Sequence, residues 1–123
     1  MTQINYIEQR KNELLEGPHL ELVLTGHWFR MIESRKKKHE YRELKEYWWK
    51  RIFTSPFSPG FTRARPGYYN GRFATVRFRL GYKRDPETMI WKLGHQGIGI
   101  QKEGISMNQG ERAIDLELTS RLK

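Results

Sequence analysis

The sequence predicts an α+β fold: a small β-barrel of five or six strands with helices packed on it. Three observations carry that expectation. Short stretches of alternating apolar residues recur from residue 20 to residue 118. Apolar residues at helical spacing are confined to the first half of the chain. No repeat and no interdomain linker interrupts the 123 residues, a length that suits one domain burying roughly two-thirds of its unfolded surface. Only 37% of the residues are hydrophobic, but 13% are aromatic, and each buried ring removes about 150–250 Å² from water.

Ile4, Ile7, Leu14 and Leu15 share one face of a first helix, which Gly17-Pro18 ends. Residues 1–18 are therefore expected as a helical extension and residues 19–123 as the domain. In LELVLT (20–25), Leu20, Leu22 and Leu24 alternate as a strand. Thr25-Gly26 opens a short helix, HWFRMIES, in which Trp28 or Phe29 pairs with Ile32. KHEYR (38–42) has strand-like alternation. LKEYWWKRI (44–52) returns to helix, with Leu44, Tyr47, Trp48 and Ile52 facing inward and Trp49 off that stripe. Residues 53–74 form a long loop punctuated by Pro and Gly. In TVRFRLGY (75–82), Val76, Phe78 and Leu80 face one way, Arg77 and Arg79 the other. TMIWKL (88–93) and GIGIQK (97–102) are expected as two strands separated by Gly94 and Gly97, and AIDLEL (113–118) as the closing strand.

Charge narrows the function. Of the net +9, residues 27–51 contribute +5 and residues 61–85 contribute +6, while residues 1–26 carry −2 and residues 86–123 balance. A localised basic surplus suits a polyanion, because each phosphate contact releases condensed counterions; the plainer alternative is a surplus that keeps the protein in solution. In the long loop, Phe57, Phe61, Tyr68 and Tyr69 interleave with Arg63, Arg65 and Arg72. That pattern serves either base stacking beside phosphate contacts or a loop packed by its own aromatics. The chain has no cysteine, so thiolate metal sites and disulfides are excluded, and its four histidines lack metal-ligand spacing. Neither a metal nor a cofactor is expected. No signal peptide and no apolar run of membrane-spanning length stands out, which makes the cytoplasm the expected location.

The stretch SRKKKHEYR (34–42) concentrates the chemistry. Lys37 ends a helix or lies in a turn, where an ammonium can reach a phosphate or act as a base once desolvated. Glu40 and Arg42, two apart on a strand, share a face. Such a pair can read a base edge, the carboxylate accepting from an exocyclic amine and the guanidinium donating to a carbonyl or phosphate oxygen; it can equally brace the mouth of a barrel.

The run LVLTGHWFRMIESRKKKHEYR resembles the ASCH domain, a relative of the PUA fold. That family carries Gly-x-Lys-x-x-Glu-x-Arg between its first helix and the next strand. Lys37, Glu40 and Arg42 fit the pattern, and Arg35 replaces the glycine. YRELKEYWWKRI, TVRFRLGY, PETMI, GIGI and AIDLEL are similar to the family's later segments in order and spacing, so the likeness covers about residues 20–119. It implies a PUA-like barrel with a cleft beside the motif, and binding of RNA or nucleotides. An amidohydrolase branch uses a threonine where Glu40 stands; its activity is not carried over, and Thr25 and Thr75 do not replace that threonine.

The first expectation is a module that binds RNA or a nucleotide, with DNA as an alternative. Lys37, Arg42, Arg77 and Arg79 would meet phosphates, Glu40 would read a base edge, and Tyr47, Trp48 or a loop aromatic would stack, with Arg63 and Arg65 adding charge. The second is an enzyme acting on RNA or a modified nucleoside, with Lys37 and Glu40 as its acid–base pair; His39 points away from Glu40 on an extended strand. The third is a basic interaction protein that docks on an acidic partner.

Overall fold

The computed structural model describes residues 3–57, 67–102 and 111–123. The chain is α+β. Three helices, α1 (Gln3–Glu16), α2 (Gly26–Glu33) and α3 (Glu46–Ile52), accompany strands β1 (Leu20–Leu24), β2 (His39–Arg42), β3 (Gly67–Tyr68), β4 (Thr75–Leu80), β5 (Thr88–Ile100) and β6 (Arg112–Arg121). The strands form one curled half-barrel in the order β1-β4-β5-β6-β2, with β3 added on β5. β1 and β4 are parallel, and the other pairs are antiparallel. The two edge strands, β1 and β2, are the ones that α2 connects.

Alternation puts the core where the sequence expects it. Leu20, Leu22 and Leu24 from β1, Val76 and Phe78 from β4, and Ile114, Leu116 and Leu118 from β6 are all buried, and Phe29 and Ile32 of α2 cover them. α1 departs from its expected face. Leu14 is buried, but Tyr6 and Ile7 are exposed. Gly17, at φ +81°, then turns the chain from α1 toward β1, a conformation that costs glycine little.

Two expectations are corrected. Residues 88–93 and 97–102 are not separate strands; β5 runs unbroken through Gly94 and Gly97, with register shifts against β6 between Lys92 and Gln96. The bare backbone of Gly94 lets the Glu117 carboxylate lie over it and accept from the His95 N–H, at 3.1 Å. The glycine thus marks a bulge and not a strand end. In α3 Trp49 takes the inward place expected of Tyr47 and Trp48, while Ile52 is inward as expected. Trp49 and Ile52 are buried, Tyr47 is 56% exposed and Trp48 is half-buried. The helix starts at Glu46, which leaves Leu44 ahead of it. Trp49 packs on Phe53, Phe57 and Tyr69 at ring separations of 4.3, 6.1 and 5.0 Å, and its Nε1–H donates to the Ser55 carbonyl at 2.7 Å. Phe57 and Tyr69 therefore serve the core, as in a loop packed by its own rings.

Candidate functional site

β1 and β2 share no backbone ladder, so the half-barrel has a seam. A cavity of about 330 Å³ lies in it, lined by Val23 and Leu24 of β1, Thr25 and Trp28, Glu40, Tyr41 and Arg42 of β2, and Glu43 and Trp48. A volume near 300 Å³ is the lower end of what small-molecule sites offer. The Arg42 Nη2 crosses the seam to the Val23 carbonyl at 3.3 Å, where a backbone bond would otherwise close the barrel.

Local geometry explains how β2 presents these side chains. α2 ends at Glu33 and the chain reverses through Arg35, whose φ of +63° is left-handed. This is the helix-ending position that glycine usually fills. Arg35 holds it with help from its own side chain: Nη1 donates to the Leu118 carbonyl at 2.8 Å, and the guanidinium lies 5.1 Å from the centre of the Trp91 ring. Two residues on, the Lys37 N–H donates to the Met31 carbonyl at 3.0 Å, which folds the lysine back under α2.

Lys37 is fully buried. Its Nζ donates to Glu40 Oε1 at 3.0 Å and lies 4.6 Å from the Trp28 ring centre and 5.8 Å from that of Tyr41. It does not line the cavity. The ammonium that was expected to meet a phosphate instead stands behind Glu40 and fixes it. Glu40 also accepts from the Tyr41 N–H at Oε1 and from Arg42 Nη2 at Oε2, at 3.2 and 2.8 Å. A carboxylate offers about four lone-pair directions, so Oε2 keeps one to spend. Arg42, 17% exposed in its side chain, has its guanidinium 4.7 Å from the Trp48 ring centre. Its Nε is buried without an acceptor among the described residues. An orphaned buried donor costs about 1–3 kcal/mol.

The other expected residues fall around this centre. Tyr47 sits outside the cavity, packed edge-on to Trp48 at 4.9 Å and bonded through its hydroxyl to Arg51 Nη1 at 3.1 Å. Arg77 is paired with Glu21, its neighbour in register on β1, with Nη2–Oε1 at 2.6 Å. Arg79 donates to the carbonyls of Gly81 and Lys83, at 3.0 and 2.8 Å. The two arginines share the outer sheet face, but neither lines the seam cavity. Arg63 and Arg65 lie outside the described residues. His39 points away from Glu40, as expected, and meets Asp115 at 2.6 Å.

Sequence reasoning missed Trp28, Thr25 and Val23 as cavity residues. Trp28 carried a signal, since an apolar pair at 28 and 29 can send only one ring inward. Phe29 goes in and Trp28 goes to the seam. Thr25 precedes α2, makes no side-chain cap and lines the cavity. No protein-family model, characterised protein or solved structure matches the chain.

Proposed function

We propose that the seam cavity binds the base of a nucleotide, free or within an RNA strand. The observation that carries this is a carboxylate with an open lone pair beside a guanidinium with unspent donors, in a cavity lined by two tryptophans. A planar heterocycle suits indole walls through stacking, worth about 1–3 kcal/mol per base. An amine on its edge would donate to Glu40 Oε2 while a ring nitrogen or carbonyl accepts from Arg42. The ASCH resemblance of Lys37, Glu40 and Arg42 points the same way, with Lys37 as the brace that holds Glu40 and not as a phosphate ligand. The acid–base alternative draws less support, because Lys37 is buried behind the carboxylate it would have to work beside.

The test is a titration with each of the four nucleoside monophosphates, followed by heteronuclear NMR of the indole N–H groups. The Trp28 and Trp48 signals should shift and saturate, those of Trp49 and Trp91 should stay, and cytidine monophosphate should bind more tightly than uridine monophosphate, which lacks the amine. Four unmoved indoles at millimolar nucleotide would end this proposal.

A further inference from the structure

Beyond the seam lies a second cleft, of about 410 Å³, whose walls include His19, Glu21, Lys50, Arg51 and Arg72. We infer that this cleft is a phosphate subsite adjoining the seam cavity, so that the ligand is a single strand of RNA and not a free mononucleotide. The inference rests on the seam cavity holding a base.

Arg51 lines this cleft and packs 5.7 Å from the Trp48 ring centre, while Arg42 lies near the same ring from within the seam cavity. Trp48, which lines the seam cavity, thus has near its ring a guanidinium from each site. β1 gives the same spacing independently. Glu21 lines the cleft and Val23 lines the seam cavity, on one face of the strand and two residues apart, about 7 Å. That is about one nucleotide step of an extended strand.

The cleft also has the charge for a phosphate. Its acidic residue, Glu21, is committed to Arg77 through both oxygens, at 2.6 and 2.9 Å. Arg51 donates to the Tyr47 hydroxyl and the Glu21 carbonyl, and Arg72 donates through Nε to the Lys50 carbonyl at 2.8 Å. Neither guanidinium meets a carboxylate among the described residues, so two positive charges are positioned by neutral partners and left uncompensated. Such a fork matches phosphate oxygens. Lys50, paired with Glu46 at 2.8 Å on the surface, adds a third cation at the rim. His19 takes no part, since Nδ1 meets Thr75 and Nε2 meets the Leu15 carbonyl.

The test compares wild type with Lys50→Gln/Arg72→Gln, neither position lining the seam cavity. Binding of a single-stranded RNA of about eight nucleotides is followed by anisotropy across a salt series, and binding of cytidine monophosphate by NMR. The expected result is weaker RNA binding in the variant, with a salt slope shallower by about 1.4 for two lost contacts and unchanged mononucleotide affinity. Equal RNA affinity and slope in the two proteins, with mononucleotide binding intact, would overturn the second subsite and leave the base site standing. A wild type that binds neither ligand would remove both. If the double variant melts early, Lys50→Gln alone decides: a slope shallower by about 0.7 supports the subsite, and an unchanged slope overturns it.

Discussion

A lysine ammonium without solvent exposure must replace its hydration shell, and Lys37 does so with Glu40 Oε1 and the faces of Trp28 and Tyr41. Removing it leaves the buried carboxylate with Arg42 and one backbone N–H. Lys37→Met should therefore lower stability by about 1.5–3 kcal/mol in chemical denaturation, the range for a hydrogen bond to a charged group. Arg35 gives a sharper comparison, because its left-handed backbone penalises any side chain by about 1–2 kcal/mol. Arg35→Ala keeps that penalty while losing the Leu118 hydrogen bond and the Trp91 contact. Arg35→Gly loses the contacts but relieves the backbone, and should be the more stable variant by about 1 kcal/mol. Lys37, Glu40 and Arg42 were legible in the sequence as a cluster, since residues two apart on a strand must share a face. The burial of Lys37 was not. It depends on which of Trp28 and Phe29 turns inward, and that is decided by packing against β1 and β4.

Among the elements, α3 shows where periodicity runs out. Seven residues make two turns, too few to fix the phase of an apolar stripe, and the rings that receive Trp49 come from residues 53, 57 and 69. Trp49→Ala should cost about 3–5 kcal/mol of stability, whereas Tyr47→Ala should stay within about 0.5 kcal/mol; thermal melts of the two variants measure the difference. β5 failed for a related reason, since Gly94 looks like a break until Glu117 of the neighbouring strand is seen lying over it. The β4–β5 connection is tied to α2 by Arg30, which donates through Nη1 and Nη2 to the two oxygens of Glu87 at 2.9 and 2.8 Å. Those bonds hold the Glu87 carboxyl below its ordinary value of 4.5. The folded value thus lies under the unfolded one, so the stabilisation is present above about pH 4.5 and is lost as the pH falls through the folded value. Urea titrations should find Glu87→Gln slightly less stable than wild type at neutral pH, and the two proteins converging in acid. The pair lies at the surface, so the gap is small.

The whole molecule is organised around its seam. Alternation predicted the strands, but which two become edges follows from the order β1-β4-β5-β6-β2, a product of long-range pairing with no local signature. Because α2 joins the two edges and α3 follows β2, the motif strand and both cavity tryptophans converge where the barrel stays open. The basic surplus follows the same geometry in part: Arg42 borders the seam, and Lys50, Arg51 and Arg72 border the neighbouring cleft. Arg77 and Arg79, which look like a groove wall in the sequence, spend their donors on Glu21 and on turn carbonyls. The central claim is that affinity for RNA depends on a base stacked in the seam. Its most direct test is the anisotropy of a labelled single-stranded RNA titrated with wild type and with Trp48→Ala at one low salt concentration. Loss of one stacked base should weaken binding by about 5- to 150-fold, equivalent to about 1–3 kcal/mol. Identical dissociation constants for the two proteins, or no RNA binding by wild type, would contradict it.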